Sequence, residues 1–164
     1  MVEIRRTTEA DVDALRTIRL AALQADPTAF GRTYAEAIEY GPEVWIDRAV
    51  GSDISATYLA WHDGQAVGMA AGIELPESPG RAELVSMWTV PEARGLGVAQ
   101  QLVERVLQWA AERGTPVVRL WVTRGNDPAL RLYERCGFEP TEEVGVAASD
   151  PCREELRMVH RPPS

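Results

Sequence analysis

The residues best equipped for chemistry form the run Arg94-Gly95-Leu96-Gly97-Val98-Ala99, where a cation and two glycines precede a helical apolar repeat at Val98, Leu102, Val106, Leu107 and Ala110. The first turn of a helix carries N–H groups without intrahelical partners, and its dipole makes that end partly positive. Gly95 and Gly97 have no Cβ, so anionic oxygens can approach the backbone closely. Arg94 adds a full charge beside them. The run therefore suits a phosphate cradle, with a plain tight turn as the alternative. Two familiar phosphate loops do not fit. A P-loop needs Lys then Ser or Thr after its last glycine, where this chain has Val98 and Ala99. The dinucleotide fingerprint G-x-G-x-x-G lacks its third glycine, since Gln100 stands there.

The elements that must hold this turn are legible on both sides. Arg81–Val90 is apolar and β-branched enough for a central strand, ended by Pro91, and Val98–Glu112 forms the main helix, stopped by Gly114. Val117–Thr123 reads as a strand that returns parallel to Arg81–Val90 by a right-handed crossover. Pro128 suits the first turn of a helix through Arg135, closed by Gly137. Upstream, Val2–Arg6 alternates as a strand, Thr8 and Asp11 look like a capping pair, and a helical stripe runs from Val12 to about Ala25. Tyr34, Ala37 and Ile38 suggest a short helix stopped by Gly41, and Pro42 starts another with Val44, Trp45 and Ala49. Ala56–Trp61 and Ala66–Glu74 flank the hairpin signal His62-Asp63-Gly64-Gln65. Pro76, Pro79 and Gly80 make an irregular connection before the central strand. Phe138–Ala147 and Arg153–Val159 close the chain as an antiparallel pair around Ser149-Asp150-Pro151.

Composition narrows the class. At 164 residues the chain suits one domain, 1–164, with a full core, and no repeat or linker divides it. No apolar run reaches the roughly 18–20 residues of a membrane span, and Met-Val-Glu-Ile-Arg-Arg lacks the apolar core of a signal peptide. Cys136 and Cys152 form no disulfide framework, which points to a reducing cytoplasm. Only His62 and His160 could be imidazole ligands, and neither has metal-site neighbours, so no metal is expected. A net charge of −8 argues against general nucleic-acid binding and favours cationic partners.

Two blocks together resemble one family. Val90-Pro-Glu-Ala-Arg-Gly-Leu-Gly-Val-Ala99 is similar to the acetyl-coenzyme-A signature of the GNAT N-acetyltransferases, Arg/Gln-x-x-Gly-x-Gly/Ala, through Arg94, Gly97 and Ala99. Asn126-Asp-Pro-Ala-Leu-Arg-Leu-Tyr-Glu-Arg-Cys-Gly-Phe138 is similar to its later Asn-x-x-Ala-x-x-Leu-Tyr-x-x-x-Gly-Phe block. The resemblance implies an α/β (α+β) single domain: a mixed, mostly antiparallel sheet of six or seven strands with a splayed parallel pair, flanked by about four helices. It implies acetyl-CoA as cofactor, no metal, and a primary amine as acceptor, with a small cationic metabolite or antibiotic expected and a homodimer compatible.

Site residues follow from the same resemblance. Arg94, Gly95, Leu96, Gly97, Val98 and Ala99 would cradle the pyrophosphate, and Trp88, Thr89 and Val90 would offer backbone groups to the pantetheine. Asn126 and Ala129 would lie beside it. Tyr133 matches the family tyrosine above the sulfur, where a phenol suits protonation of a departing thiolate; the alternative is a ring packed on the sheet. Glu83 stands where many members carry a working glutamate, or is a sheet carboxylate paired with a nearby arginine. Phe30, Tyr34 and Trp45 are expected either in the acceptor pocket or in the core. Some relatives that acetylate protein N-termini carry Glu where this chain has Trp121, which disfavours that substrate class. Cys136 has no histidine nearby in sequence, so direct transfer is favoured over a cysteine nucleophile. A protein lysine or N-terminal acetyltransferase, a catalytically idle acetyl-CoA-binding module, and an ATP-type nucleotide binder are the competing readings.

Overall fold

Among the described residues seven strands form one sheet in the order β1-β2-β3-β4-β5-β7-β6, with five α-helices around it. The structure, a computed structural model, describes residues 2–27, 30, 32–147 and 150–162. The strands are β1 (Glu3–Arg6), β2 (Ser55–His62), β3 (Gln65–Glu74), β4 (Arg81–Thr89), β5 (Val117–Thr123), β6 (Glu139–Ala147) and β7 (Asp150–His160). The helices are α1 (Val12–Ala25), α2 (Tyr34–Ala37), α3 (Pro42–Val50), α4 (Val98–Glu112) and α5 (Asp127–Arg135). Among the described residues only β4 and β5 pair in parallel, as a strand-helix-strand crossover requires. The last strand begins at Asp150 rather than Arg153 because Asp150 pairs with Ala147. Ser149, placed in that turn by the sequence, lies outside the described residues. Among the described residues no helix is long and apolar enough to cross a membrane.

Local rules account for most of these boundaries. Thr8 and Asp11 make the expected reciprocal cap, with the Asp11 carboxylate accepting from the Thr8 amide at 2.8 Å. Thr33 caps the single turn of α2 through the Glu36 amide at 3.1 Å. Each face of the sheet has its own core. On one, α1 and α3 bury Ile18, Leu23 and Trp45 against Leu59, Met69 and Trp88. On the other, α4 buries Leu102, Val103 and Val106 against Leu84, Val118 and Leu120, and α5 adds Tyr133.

One irregularity opens the sheet. β4 pairs with β5 only over Arg81–Glu83 against Val117–Arg119, although both strands continue to Thr89 and Thr123. The pairing of β3 with β4 shifts register between Met69 and Ala71, opposite Val85–Trp88. Ser86, within that stretch, has φ 59°. A bulge of this kind bends its strand, and β4 runs unpaired with β5 from Leu84 onward, through the bulge and past it. Arg19 of α1 holds the bulge by donating to Ser86 Oγ at 2.8 Å, its guanidinium 5.0 Å from the Phe30 ring. Burial, with Arg48 nearby, lowers the Arg19 pKa to about 10, so it stays charged at neutral pH.

Candidate active site

Where β4 and β5 separate, a cleft of roughly 530 Å³ runs between them beneath the start of α4. Its rim is the turn Arg94–Ala99, apart from Leu96, which projects outward at 68% exposure. Gly97 is the N-cap of α4 with φ 79°. No side chain caps this helix and no acidic residue lies in its first turn, so its orphan N–H groups meet the cleft uncontested. Gly97 lines the cleft, and a Cβ on it would meet no protein atom within 4 Å. A negative group is the natural occupant.

Arg94 does not stand free. Its Nη2 donates to Asp26 Oδ2 and to the Thr89 carbonyl, each at 3.2 Å. Asp26, just past α1, also accepts from Trp88 Nε1 at 2.6 Å. One carboxylate thus ties the turn, β4 and α1 together. Trp88 and Thr89 line the cleft as expected, whereas Val90 gives its amide to the Val67 carbonyl at 2.9 Å and so spends that donor on the sheet.

The far wall comes from α5. Asn126 caps it, its Oδ1 accepting from the Ala129 amide at 3.3 Å, and Pro128 occupies the first turn. Residues three and seven positions on from the cap share one helix face, so Ala129 and Tyr133 both turn to the cleft. Tyr133 is buried, and its ring meets Phe138 edge-on at 5.8 Å. Burial pushes its phenol well above the ordinary tyrosine value, so it is protonated throughout the physiological range. Burial likewise pushes the Cys136 thiol up to about 11, which leaves it a protonated thiol rather than a nucleophile at neutral pH.

The other expected residues fall elsewhere. Glu83 is sequestered against Arg157 at 2.6 Å, with side chains 14% and 9% exposed. Arg157 also donates to Glu143 at 3.4 Å and lies 4.1 Å over the Trp121 ring. Phe30 and Trp45 are buried in the core under α1 and α3, and Tyr34 packs against it. None of the three lines the cleft.

The cleft also recruits residues that sequence reasoning passed over. Asp26, at the end of α1, belongs to no motif. Met87 adjoins Trp88, Thr123 ends β5, and Leu132 is the leucine of the Asn126–Phe138 block, all within reach of the pattern. Glu155 was not: it comes from β7, where no motif marks it, and enters the cleft because Thr123 of β5 is its cross-strand partner.

Comparison with known proteins agrees with this geometry. A family model described as the acetyltransferase (GNAT) family matches residues 18–138. A mycothiol acetyltransferase of Thermomonospora curvata is 34% identical over 137 residues, covering 74% of this chain and 43% of that protein. The chain therefore spans less than half the length of this relative. Among solved structures, a GNAT-family acetyltransferase from Streptococcus pneumoniae aligns with TM-score 0.77 and 19% identity, over 97% of this chain and 98% of its own. The PaiA N-acetyltransferase of Thermoplasma acidophilum, in complex with coenzyme A, aligns with TM-score 0.76 and 16% identity over 99% of both chains.

Proposed function

Since the chain belongs to the GNAT acetyltransferase family, we propose that it transfers the acetyl group of acetyl-CoA directly to a primary amine, a small cationic metabolite or antibiotic, in the cytoplasm. The observation that carries this reading is the parted β4–β5 pair, opening beneath an uncapped helix start and beside a buried, protonated tyrosine. Acetyl-CoA would supply the activated acetyl thioester.

The residues present fit that donor. The α4 N–H groups, Gly95 and Gly97 would hold the pyrophosphate, with Arg94 beside them. The edge of β4 around Trp88 and Thr89, unpaired on its β5 side, would offer backbone groups to the pantetheine, and Asn126 and Ala129 would border it. Tyr133 would donate its proton toward the sulfur as the thiolate departs. The net charge of −8 supports a cationic acceptor over an anionic one.

The test is release of free thiol from acetyl-CoA across a panel of amines: an alkyl diamine, an amino sugar, an aminoglycoside and a peptide with a free N-terminus. Faster release with a small polyamine or aminoglycoside than with the peptide is the expected result. Tight coenzyme A binding with no amine-dependent release would instead describe an idle binding module.

Arg94→Ala should weaken coenzyme A without abolishing binding, because the backbone amides remain. Loss of one charge-assisted hydrogen bond is worth about 1.5–3 kcal/mol, which calorimetry would register as roughly a tenfold to hundredfold rise in Kd. An unchanged Kd would confine Arg94 to its bonds with Asp26 and Thr89.

A further inference from the structure

A protonated acceptor amine needs a base to take its proton, and two glutamates that differ in placement and in partners are the candidates. Along β5, Val118, Leu120 and Val122 bury toward α4 and α5. Arg119, Trp121 and Thr123 must then face the opposite side. Their partners on β7 are Val159, Arg157 and Glu155, and directly paired residues share a face. Tyr133 thus reaches the cleft from the α4–α5 side of the sheet and Glu155 from the other. An acceptor approaching on the Glu155 side would leave the departing sulfur beside Tyr133.

Glu83 and Glu155 differ in what holds them. To take up a proton, Glu83 would have to surrender its sheltered ion pair with Arg157, and breaking such pairs typically costs several-fold more than breaking exposed ones. Glu155 lines the cleft, and among the described residues no salt bridge or side-chain hydrogen bond engages its carboxylate. Trp121 helps shelter that end of the cleft. Its ring lies between Arg157 and the backbone of β6, where a Cβ on Gly145 would come within 3.1 Å of it. Gly145 is the β6 partner of Glu155, so the Trp121 ring extends toward the strand pair that carries Glu155.

We propose that Glu155, rather than Glu83, is the carboxylate that receives the acceptor's ammonium group and takes its proton. The inference rests on the acetyltransferase reading above. In the step assigned to it, Glu155 removes one proton from R–NH3+, directly or through a water, and leaves a nitrogen lone pair. That nitrogen forms the new bond to the acetyl carbon as the carbon–sulfur bond breaks. A second nitrogen proton offsets the one Tyr133 gives to sulfur, so the products are the acetamide, the free thiol and a proton returned to solvent from Glu155. Burial, reinforced by the negative charge of Glu83, raises the Glu155 pKa above the ordinary glutamate value, while Arg153 and Arg157 oppose the rise. Glu143 of β6 faces the same cluster through Arg157, and Tyr133 and Arg135 of α5 line the cleft. The shift makes Glu155 a stronger base than an ordinary glutamate.

The experiment compares pH–rate profiles of wild type, Glu155→Gln and Glu83→Gln with the best amine of the panel. Glu155→Gln should transfer about a hundredfold more slowly at pH 7. Its deficit should shrink toward pH 10, where an amine of lysine-like pKa near 10.4 increasingly deprotonates unaided. Glu83→Gln should lower the melting temperature and, by removing a negative charge near Glu155, move the acid limb of the profile slightly to lower pH, without the large loss at pH 7 that shrinks toward pH 10. Glu155→Asp, which keeps a carboxylate, should recover part of the loss and restore the profile's shape, a result that a purely structural residue would not give. Coenzyme A affinity should match wild type in both position-155 variants, and this reports their folding independently of turnover. A Glu155→Gln profile parallel to wild type, or a profile altered only by Glu83→Gln, overturns the assignment. Wild type that binds coenzyme A but releases no thiol with any amine overturns the acetyltransferase reading itself, and the assignment with it.

Discussion

Replacing Tyr133 with phenylalanine is expected to slow acetyl transfer by roughly 10²–10⁴-fold, the usual worth of a general acid, with coenzyme A affinity nearly unchanged. The structural reason for so clean a separation is that only the hydroxyl is lost. The ring keeps its edge contact with Phe138 and its place in the core under α4. Burial holds the phenol protonated across the accessible pH range. Its titration should therefore contribute no limb to the wild-type profile, and the variant should be slower by the same factor at every pH. Steady-state thiol release from pH 6 to 9, alongside calorimetry with coenzyme A, checks both parts. Normal turnover would assign protonation of the sulfur to another donor.

Gly97→Val should raise the Kd for coenzyme A by about a hundredfold or more, equivalent to losing one or two charge-assisted hydrogen bonds. Two effects act together. The φ of 79° at Gly97 lies in the left-handed region that a β-branched residue adopts only under strain, so the turn should relax and re-aim the first amides of α4. The new side chain would also add bulk at a residue that lines the cleft, where an anion would approach the backbone. Because that space is open, the fold has no clash to absorb, and α4 keeps Leu102, Val103 and Val106 in its core. Circular dichroism should therefore match wild type while calorimetry registers the loss. An unchanged Kd in a folded variant would remove the phosphate role from this turn.

The two parts of the site that were legible beforehand are both short-range. The turn Arg94–Ala99 could be read because a glycine pair before an amphipathic helix specifies its own geometry, and the structure places that turn on the rim of the cleft. Asn126 and Tyr133 could be read because a capping side chain and the helical repeat fix their relation within two turns. The parallel pair followed from chain connectivity, and the hairpin at Asp63-Gly64 from turn chemistry. For Glu83 the sequence left two roles open, and its ion pair with Arg157 depends on a partner 74 residues away.

What the amino-acid sequence determined by itself was therefore the local vocabulary: strands, helices, caps, and the glycine turn that precedes α4. Tertiary structure alone decided which carboxylates meet the cleft and which are occupied. Asp26 reaches Arg94 and Trp88 across more than 60 residues because α1 packs on β3 beside the bulged end of β4. Glu155 reaches the cleft through the register of β7 on β5, and a slip of one residue would turn it to the opposite face. Such register is set by the summed burial of both sheet faces and by the bulge at Ser86, not by any residue near Glu155 in the chain. Local patterns repeat at fixed spacing and can be read from one strand or helix. Cross-strand neighbours share no spacing, so only the folded sheet could bring them together.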